Sequence, residues 1–215
     1  MSAPLPSPTP LYLPGVSANP QPGVYRDLMA AAQGRNVEYS KIWDLFAFQP
    51  EFTVHLARFT QGVLRQPATI SPGLRELIAA YTSSVNECGF CTRAHAAAAS
   101  ELLRDEGRSE EGRGDQGLVA SVLHDLDTAP LAENEKLLLR FVRKVTSTLP
   151  AIEAGDIDAL RAGGWDDEAI YYAITTCALF NFYNRWITAT GVPEMSAEAH
   201  RQQGRALAAH GYVRS

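Results

Sequence analysis

Cysteine is scarce in this chain, with three among 215 residues: Cys88, Cys91 and Cys177. A small secreted domain stapled by disulfides carries more, usually in even number, so that class is excluded. A cytoplasmic setting is expected instead, where a Cys-x-x-Cys is more often catalytic or metal-binding than structural. Long apolar runs are also missing. No stretch approaches the ~20 residues needed to span a bilayer, and the first residues show neither the basic start nor the apolar run of a secretory signal. Positive charge is not in excess either: 19 Lys and Arg face 24 Asp and Glu, a net charge of −5. That leaves no basic face for nucleic acid or an anionic membrane, and neither is expected as a partner.

What is present is a hydrophobic share of 46%, enough in a chain of 215 residues for one substantial core. Proline is concentrated at one end, seven of the thirteen falling within residues 1–23. Such spacing favours an extended arm without its own core. The arm is either an unattached tail or, through Leu11, Tyr12 and Leu13, a strap lying on the body or on a neighbouring subunit.

From Val24 onward helix signals dominate and strand signals are nearly absent, so the fold class is all-α. Residues 51–66 place Phe52, His55, Leu56, Phe59, Val63 and Leu64 on one stripe ahead of Pro67. Ser71-Pro72 reads as an N-cap with proline at the first helical position, opening a helix through Leu74, Leu77, Ile78 and Tyr81 toward Val85. Asn86 is expected to cap the next helix, running from about 87 to 104. Residues 107–117 form a polar, glycine-rich loop. Further helices are expected near 117–126, 131–148, 153–162, 166–189 and 195–210, with Gly163-Gly164 and Gly191-Val192-Pro193 as stop signals.

The chemistry concentrates in one stretch, Glu76 followed by Cys88-Gly89-Phe90-Cys91-Thr92-Arg93-Ala94-His95. On a helix, positions i, i+3 and i+7 share a face, which brings Cys88, Cys91 and His95 together. Near a helix start, free backbone N–H groups and the macrodipole stabilise a thiolate, the reactive form of cysteine. A thiolate that attacks a peroxide becomes a sulfenic acid, and a second thiol nearby condenses with it to a disulfide. His95 and Glu76 are suited to carry the protons of both steps. A zinc site would need a fourth ligand beside Cys88, Cys91 and His95, and the second ligand pair usual for such sites is missing. Haem attachment needs histidine directly after the second cysteine, where Thr92 stands. No metal and no cofactor is therefore expected.

Two other readings concern packing. Cys177 reads as an inert core thiol. Trp165, Tyr171, Tyr172, Phe180, Phe182, Tyr183 and Trp186 form an aromatic-rich stretch that packs in the core or at a subunit contact, or lines an apolar pocket over the thiols. His55, His124, His200 and His210 have no such company and read as structural or exposed.

Leu74-Arg75-Glu76-Leu77-Ile78 with Cys88-Gly89-Phe90-Cys91 and His95 resembles the core motif of the AhpD-like proteins, in the carboxymuconolactone decarboxylase superfamily. All four positions of Glu-x11-Cys-x-x-Cys-x3-His are matched. The likeness is strongest over about 50–105 and weaker over the later helices, especially Asn181-Phe182-Tyr183-Asn184-Arg185. It implies an all-helical fold, a homo-oligomer (trimer or hexamer), and reduction of hydroperoxides. It makes Cys91 the peroxidatic thiol, Cys88 its resolving partner, and Glu76 with His95 the proton relay. Alkylhydroperoxidase D carries a relay histidine just before the second cysteine, where this chain has Phe90, so the relay is shorter.

These readings give one AhpD-like domain over 24–215, with a redox helix pair at 71–105 and a related helix set at 153–190. Sliding residues 76–97 by 92 positions matches five of 22 columns: Glu76/Glu168, Ile78/Ile170, Phe90/Phe182, Arg93/Arg185 and Ala97/Ala189. The expected activity is a thiol-dependent peroxidase whose partners are a hydroperoxide and a thiol reductant of unidentified nature. The alternatives are a non-redox decarboxylase-type enzyme, or an oligomeric protein whose disulfide only senses redox state.

Overall fold

The computed structural model describes residues 11–108 and 117–213. Within them the chain forms eleven α-helices and a 3₁₀ turn at Leu149–Ala151, with no strand. The helices are α1 (Pro14–Ala18), α2 (Val24–Gly34), α3 (Ile42–Phe48), α4 (Pro50–Arg65), α5 (Pro72–Val85) and α6 (Gly89–Asp105). They continue as α7 (Leu118–His124), α8 (Glu133–Ser147), α9 (Ala154–Ala162), α10 (Asp167–Thr190) and α11 (Ala197–His210). The expected all-α class is thus present.

Helix ends follow local chemistry. Ser71 accepts from the Leu74 N–H at 3.2 Å and Pro72 stands at the first helical position of α5. Asp166 opens α10 by accepting from Ala169 N–H at 2.7 Å, and Gly191, at φ 74°, closes it in the left-handed region that glycine tolerates. Most of the polar segment at 107–117 lies outside the described residues.

Two readings of the N-terminal half change. The stretch 14–18 is helical rather than extended, and Leu11 and Val16 are buried against Leu45 of α3, with Tyr12 N–H donating to Thr190 O at 3.0 Å. Residues 11–18 therefore lie on the body; residues 1–10 are outside the described set. In α4 the buried face is Thr53, Ala57, Thr60, Val63 and Leu64, while Phe52 and Phe59 are 59% and 52% exposed. The expected stripe is split because threonine hydroxyls satisfy themselves inside the helix and so can face the core. Thr60 donates to Leu56 O at 2.8 Å, and Thr53 donates to Phe46 O and Gln49 O at 2.9 Å.

The central helix is α5, packed on α6, α8 and α10, with α11 lying along α6. Its middle is buried on all sides, Leu77, Ile78, Ala79 and Ala80 having no exposed surface. Arg75 is equally buried and is spent on α4, whose last turn it holds through Val63 O (2.8 Å) and Gln66 O (2.7 Å). A Cβ on Gly204 of α11 would stand 2.5 Å from Ala97 Cβ and 2.8 Å from its carbonyl carbon. Only glycine lets α11 lie so close to α6, and that contact brings the end of the chain over the thiol helix.

Candidate active site

The site begins at the turn between α5 and α6. Backbone N–H groups of Asn86 and Cys88 return to Thr82 O (3.1 Å) and Ser83 O (2.9 Å), which finishes α5. Glu87 then takes φ +55°, a left-handed conformation uncommon outside glycine, and reverses the chain at once. As a result Asn86 closes α5 rather than capping α6, and its amide crosses to α10, donating to Asn184 Oδ1 at 2.9 Å and Asn181 Oδ1 at 3.1 Å. Cys88 occupies the N-cap of α6 and Cys91 its third residue. Both are buried free thiols in one apolar cluster with Phe46, Leu64, Phe180 and Tyr183.

The two thiols are electrostatically unlike. Cys88 is lowered from 9.0 to about 6, because the Cys91 thiol and backbone N–H face its sulfur, with Thr188 and Asn184 adding further donors against the effect of burial. Cys91 is raised, since it donates to Cys88 and is buried beside the charge there. Of the two sulfurs, Cys88 is the one whose surroundings favour the thiolate.

The antiparallel turn also sets Glu76 against His95, one helix turn beyond Cys91. Glu76 has no exposed surface. Its Oε2 accepts from His95 Nδ1 at 2.7 Å, and its Oε1 accepts from Arg65 Nη2 and from the Tyr212 hydroxyl, each at 2.6 Å. His95 and Arg65 overcome the desolvation of this carboxylate and hold it down at about 2. Arg65 lies 5.1 Å from the Tyr212 ring centroid, and the Tyr212 backbone N–H donates to Gln61 Oε1 at 2.7 Å. Burial raises the Tyr212 phenol well above its ordinary value, so it remains a donor. With Glu76 ionised and accepting, His95 donates from Nδ1, and that bond fixes the orientation of the ring.

Cys91 and His95 share a cavity of about 80 Å³ with Phe90, Phe180, Tyr183, Ile187 and Tyr212 among its walls. Its lining is mainly apolar, and neither Cys88 nor Glu76 borders it. Phe180, Tyr183 and Ile187 are the residues that the 92-position register lays on Cys88, Cys91 and His95. Phe182 and Tyr171 of the same aromatic stretch are exposed, and Trp165 packs elsewhere, donating from Nε1 to Asn134 O at 2.9 Å.

Other residues fall outside the site or join it unannounced. Cys177 bonds to Thr146 Oγ1 at 3.3 Å within the other core cluster. His200 is nearer than expected. It is buried edge-on against Phe90, with ring centroids 5.6 Å apart and Nε2 3.3 Å from Glu194 Oε2. Sequence reading passed over Arg65 and Tyr212 and gave Asn184 no role of its own. The Asn184 amide orientation is fixed, Oδ1 accepting from Asn86 and Nδ2 donating to Ser83 Oγ at 2.9 Å. The one available signal was Asn184 within the Asn-Phe-Tyr-Asn-Arg stretch; Arg65 and Tyr212 carry no motif.

A family model described as the carboxymuconolactone decarboxylase family matches residues 50–111, which span α4 through α6. Among solved structures, an uncharacterized peroxidase-related protein from Silicibacter sp. TM1040 is 27% identical, with a TM-score of 0.72 over 94% of this chain and 99% of that one. Residues 50–111 are thus similar to the carboxymuconolactone decarboxylase family, and the fold as a whole is similar to that of AhpD-like proteins. A peroxidase-related protein with an alkylhydroperoxidase AhpD core, from Ralstonia eutropha JMP134, shares this AhpD-like fold at 20% identity and a TM-score of 0.69, over 88% of this chain and 93% of its own. So does a protein from Agrobacterium tumefaciens, at 20% identity and a TM-score of 0.52, over 68% of this chain and 92% of that one. Comparison with curated proteins finds no match. These likenesses support, in general terms, a peroxidase-related or decarboxylase-type function. No helix among the described residues is long and apolar enough to cross a membrane.

Proposed function

We propose that the chain is a dithiol peroxidase in which Cys91 attacks a hydroperoxide and Cys88 resolves the product. One observation carries this reading: Cys91 and an oriented His95 line the same apolar cavity, while Cys88, whose surroundings favour a thiolate, lies outside it. His95 Nε2 takes the Cys91 proton, and the sulfur attacks one peroxide oxygen as the O–O bond breaks. The departing alkoxide takes the proton from His95 and leaves as the alcohol, with Cys91 now a sulfenic acid. Cys88 thiolate then attacks the Cys91 sulfur, forming the S–S bond and expelling hydroxide, which gains a proton as water. A thiol reductant returns two electrons to the disulfide. Glu76 stays ionised throughout and orients His95, as a carboxylate does in a hydrolase triad.

The division of labour follows from the two thiols. The group that resolves needs a standing thiolate, and the group that meets substrate needs access. A homo-oligomer acting in the cytoplasm completes the proposal, with Phe52, Phe59 and Phe182, each about half-exposed, offering apolar surface for subunit contact.

Pre-reduced protein given one equivalent of cumene hydroperoxide should lose two thiols quickly, and Cys91→Ser should lose none at that rate. Cys88→Ser should accumulate sulfenic acid on Cys91. Equal thiol loss in Cys91→Ser and wild type would overturn the assignment. A second reading rests on the Arg65–Glu76–His95–Tyr212 unit, which presents an oriented base to an apolar cavity without involving sulfur. Lactone decarboxylation surviving the loss of both cysteines would favour it.

A further inference from the structure

A second cavity, of about 220 Å³, lies beside the one that holds Cys91 and His95. The two share three walls, Tyr25, Phe46 and Ala57. Tyr25 and Phe46 form a tilted ring pair with centroids 4.8 Å apart, and the third shared wall, Ala57 of α4, is a small side chain. None of Cys88, Cys91, His95 or Glu76 borders the outer cavity. Its walls are largely aliphatic, with Val24, Ala47, Pro50 and Val54 beside the shared residues, and its one charged wall residue is Arg26. Arg26 is half-exposed and lies 3.6 Å from Asp27, itself largely exposed. A pair so open to water leaves the guanidinium available to another anion.

These features describe a ligand with three parts: a reactive end at Cys91, an apolar body, and an anionic end near solvent. Hydrogen peroxide has only the first. We propose that the outer cavity is the acyl-chain subsite of a fatty-acid hydroperoxide, whose carboxylate pairs with Arg26 while its peroxide reaches Cys91 past Tyr25, Phe46 and Ala57. The inference rests on the peroxidase reading for its chemistry, and on the paired cavities alone for its binding. Each methylene buried in such a cavity strengthens binding by about fourfold, so the outer cavity should govern KM more than kcat.

The test uses the full reduced chain in two arms. In the first, calorimetry with laurate, an unreactive probe, should show binding that Val54→Trp weakens by about tenfold or more, since an indole there displaces about two methylenes. Arg26→Gln should weaken laurate binding and leave binding of its methyl ester alone. In the second, kcat/KM for 12-hydroperoxydodecanoic acid, which has its peroxide and carboxylate at opposite ends, is divided by kcat/KM for hydrogen peroxide. Val54→Trp should lower that ratio by about tenfold, mainly through KM. Val54 is half-exposed, so the variant should fold. Absence of laurate binding in the wild type overturns the subsite, and so does a ratio unmoved by Val54→Trp. If no peroxide is turned over while laurate binds as described, the peroxidase reading falls and the subsite stands.

Discussion

The α5–α6 hairpin and α10 run in one sequence register for 22 residues, but one bends and the other does not. At Asn86, Glu87 and Cys88 the first reverses through a left-handed residue. The matching Ala178, Leu179 and Phe180 sit inside an unbroken helix of 24 residues. The bend creates a helix start where none exists in α10, and with it unpaired N–H groups for a thiolate. It also folds Glu76 back on His95, whereas its counterpart Glu168 lies at an exposed helix start and accepts from Thr69 N–H at 3.0 Å. The straight helix contributes wall instead: Phe180, Tyr183, Ile187 and, behind them, the Asn184 amide. The contrast shows that similar helical sequence gathers thiols, imidazole and carboxylate only where the backbone breaks.

Substituting matched positions tests this contrast, and the largest difference should fall on sulfur. Cys91→Ser should lower peroxide-driven turnover by at least about a thousand-fold. Tyr183→Phe, at the matching position, removes only a 2.7 Å bond to Thr60 and should change turnover by less than about threefold. Stopped-flow rates of thiol loss measure both.

Next in size is the carboxylate pair. Glu76→Gln leaves Arg65 buried without its charge partner and should destabilise by about 3–5 kcal/mol in denaturant melts. Glu168→Gln, exposed, should stay within about 0.5 kcal/mol. The sign with pH follows from Glu76 standing at about 2 rather than 4.5. Its contribution is complete above 4.5 and is lost as pH falls toward 2, so wild type should lose stability across that window and Glu76→Gln should not share the loss.

Tyr212→Phe removes one bond to a buried carboxylate and should lower kcat/KM by about tenfold. The smallest effect belongs to Asn184→Leu, which takes a donor from Cys88 and should move its titration from about 6 back toward 9.0. The ultraviolet absorbance of the thiolate would follow it, rising at higher pH than in wild type. An unmoved curve would mean that α10 serves only as a wall.

Helix boundaries were legible because they are local. Ser71-Pro72, Gly163-Gly164 and Gly191 carry their own caps and stops, and the bounds of α5, α9 and α10 follow them. The four motif residues were legible by spacing, since a hairpin places Glu76 on His95 and a helix start places Cys88 near Cys91. Asn86 misled because its ordinary preference for an N-cap lost to a bond available only across the fold. Arg65 and Tyr212 were invisible for a related reason. They meet Glu76 from 11 and 136 positions away, through an arginine at a helix end and a tail turned by Gly211 at φ +67°. Phe52 and Phe59 looked like core by hydropathy, while threonine took the inward places.

The burial of Glu76 has a consequence for traffic. Its two oxygens are occupied by His95, Arg65 and Tyr212, and it reaches no water. A proton that reaches His95 therefore finds no onward path through that carboxylate, and the relay ends at His95 and returns its proton to the cavity side.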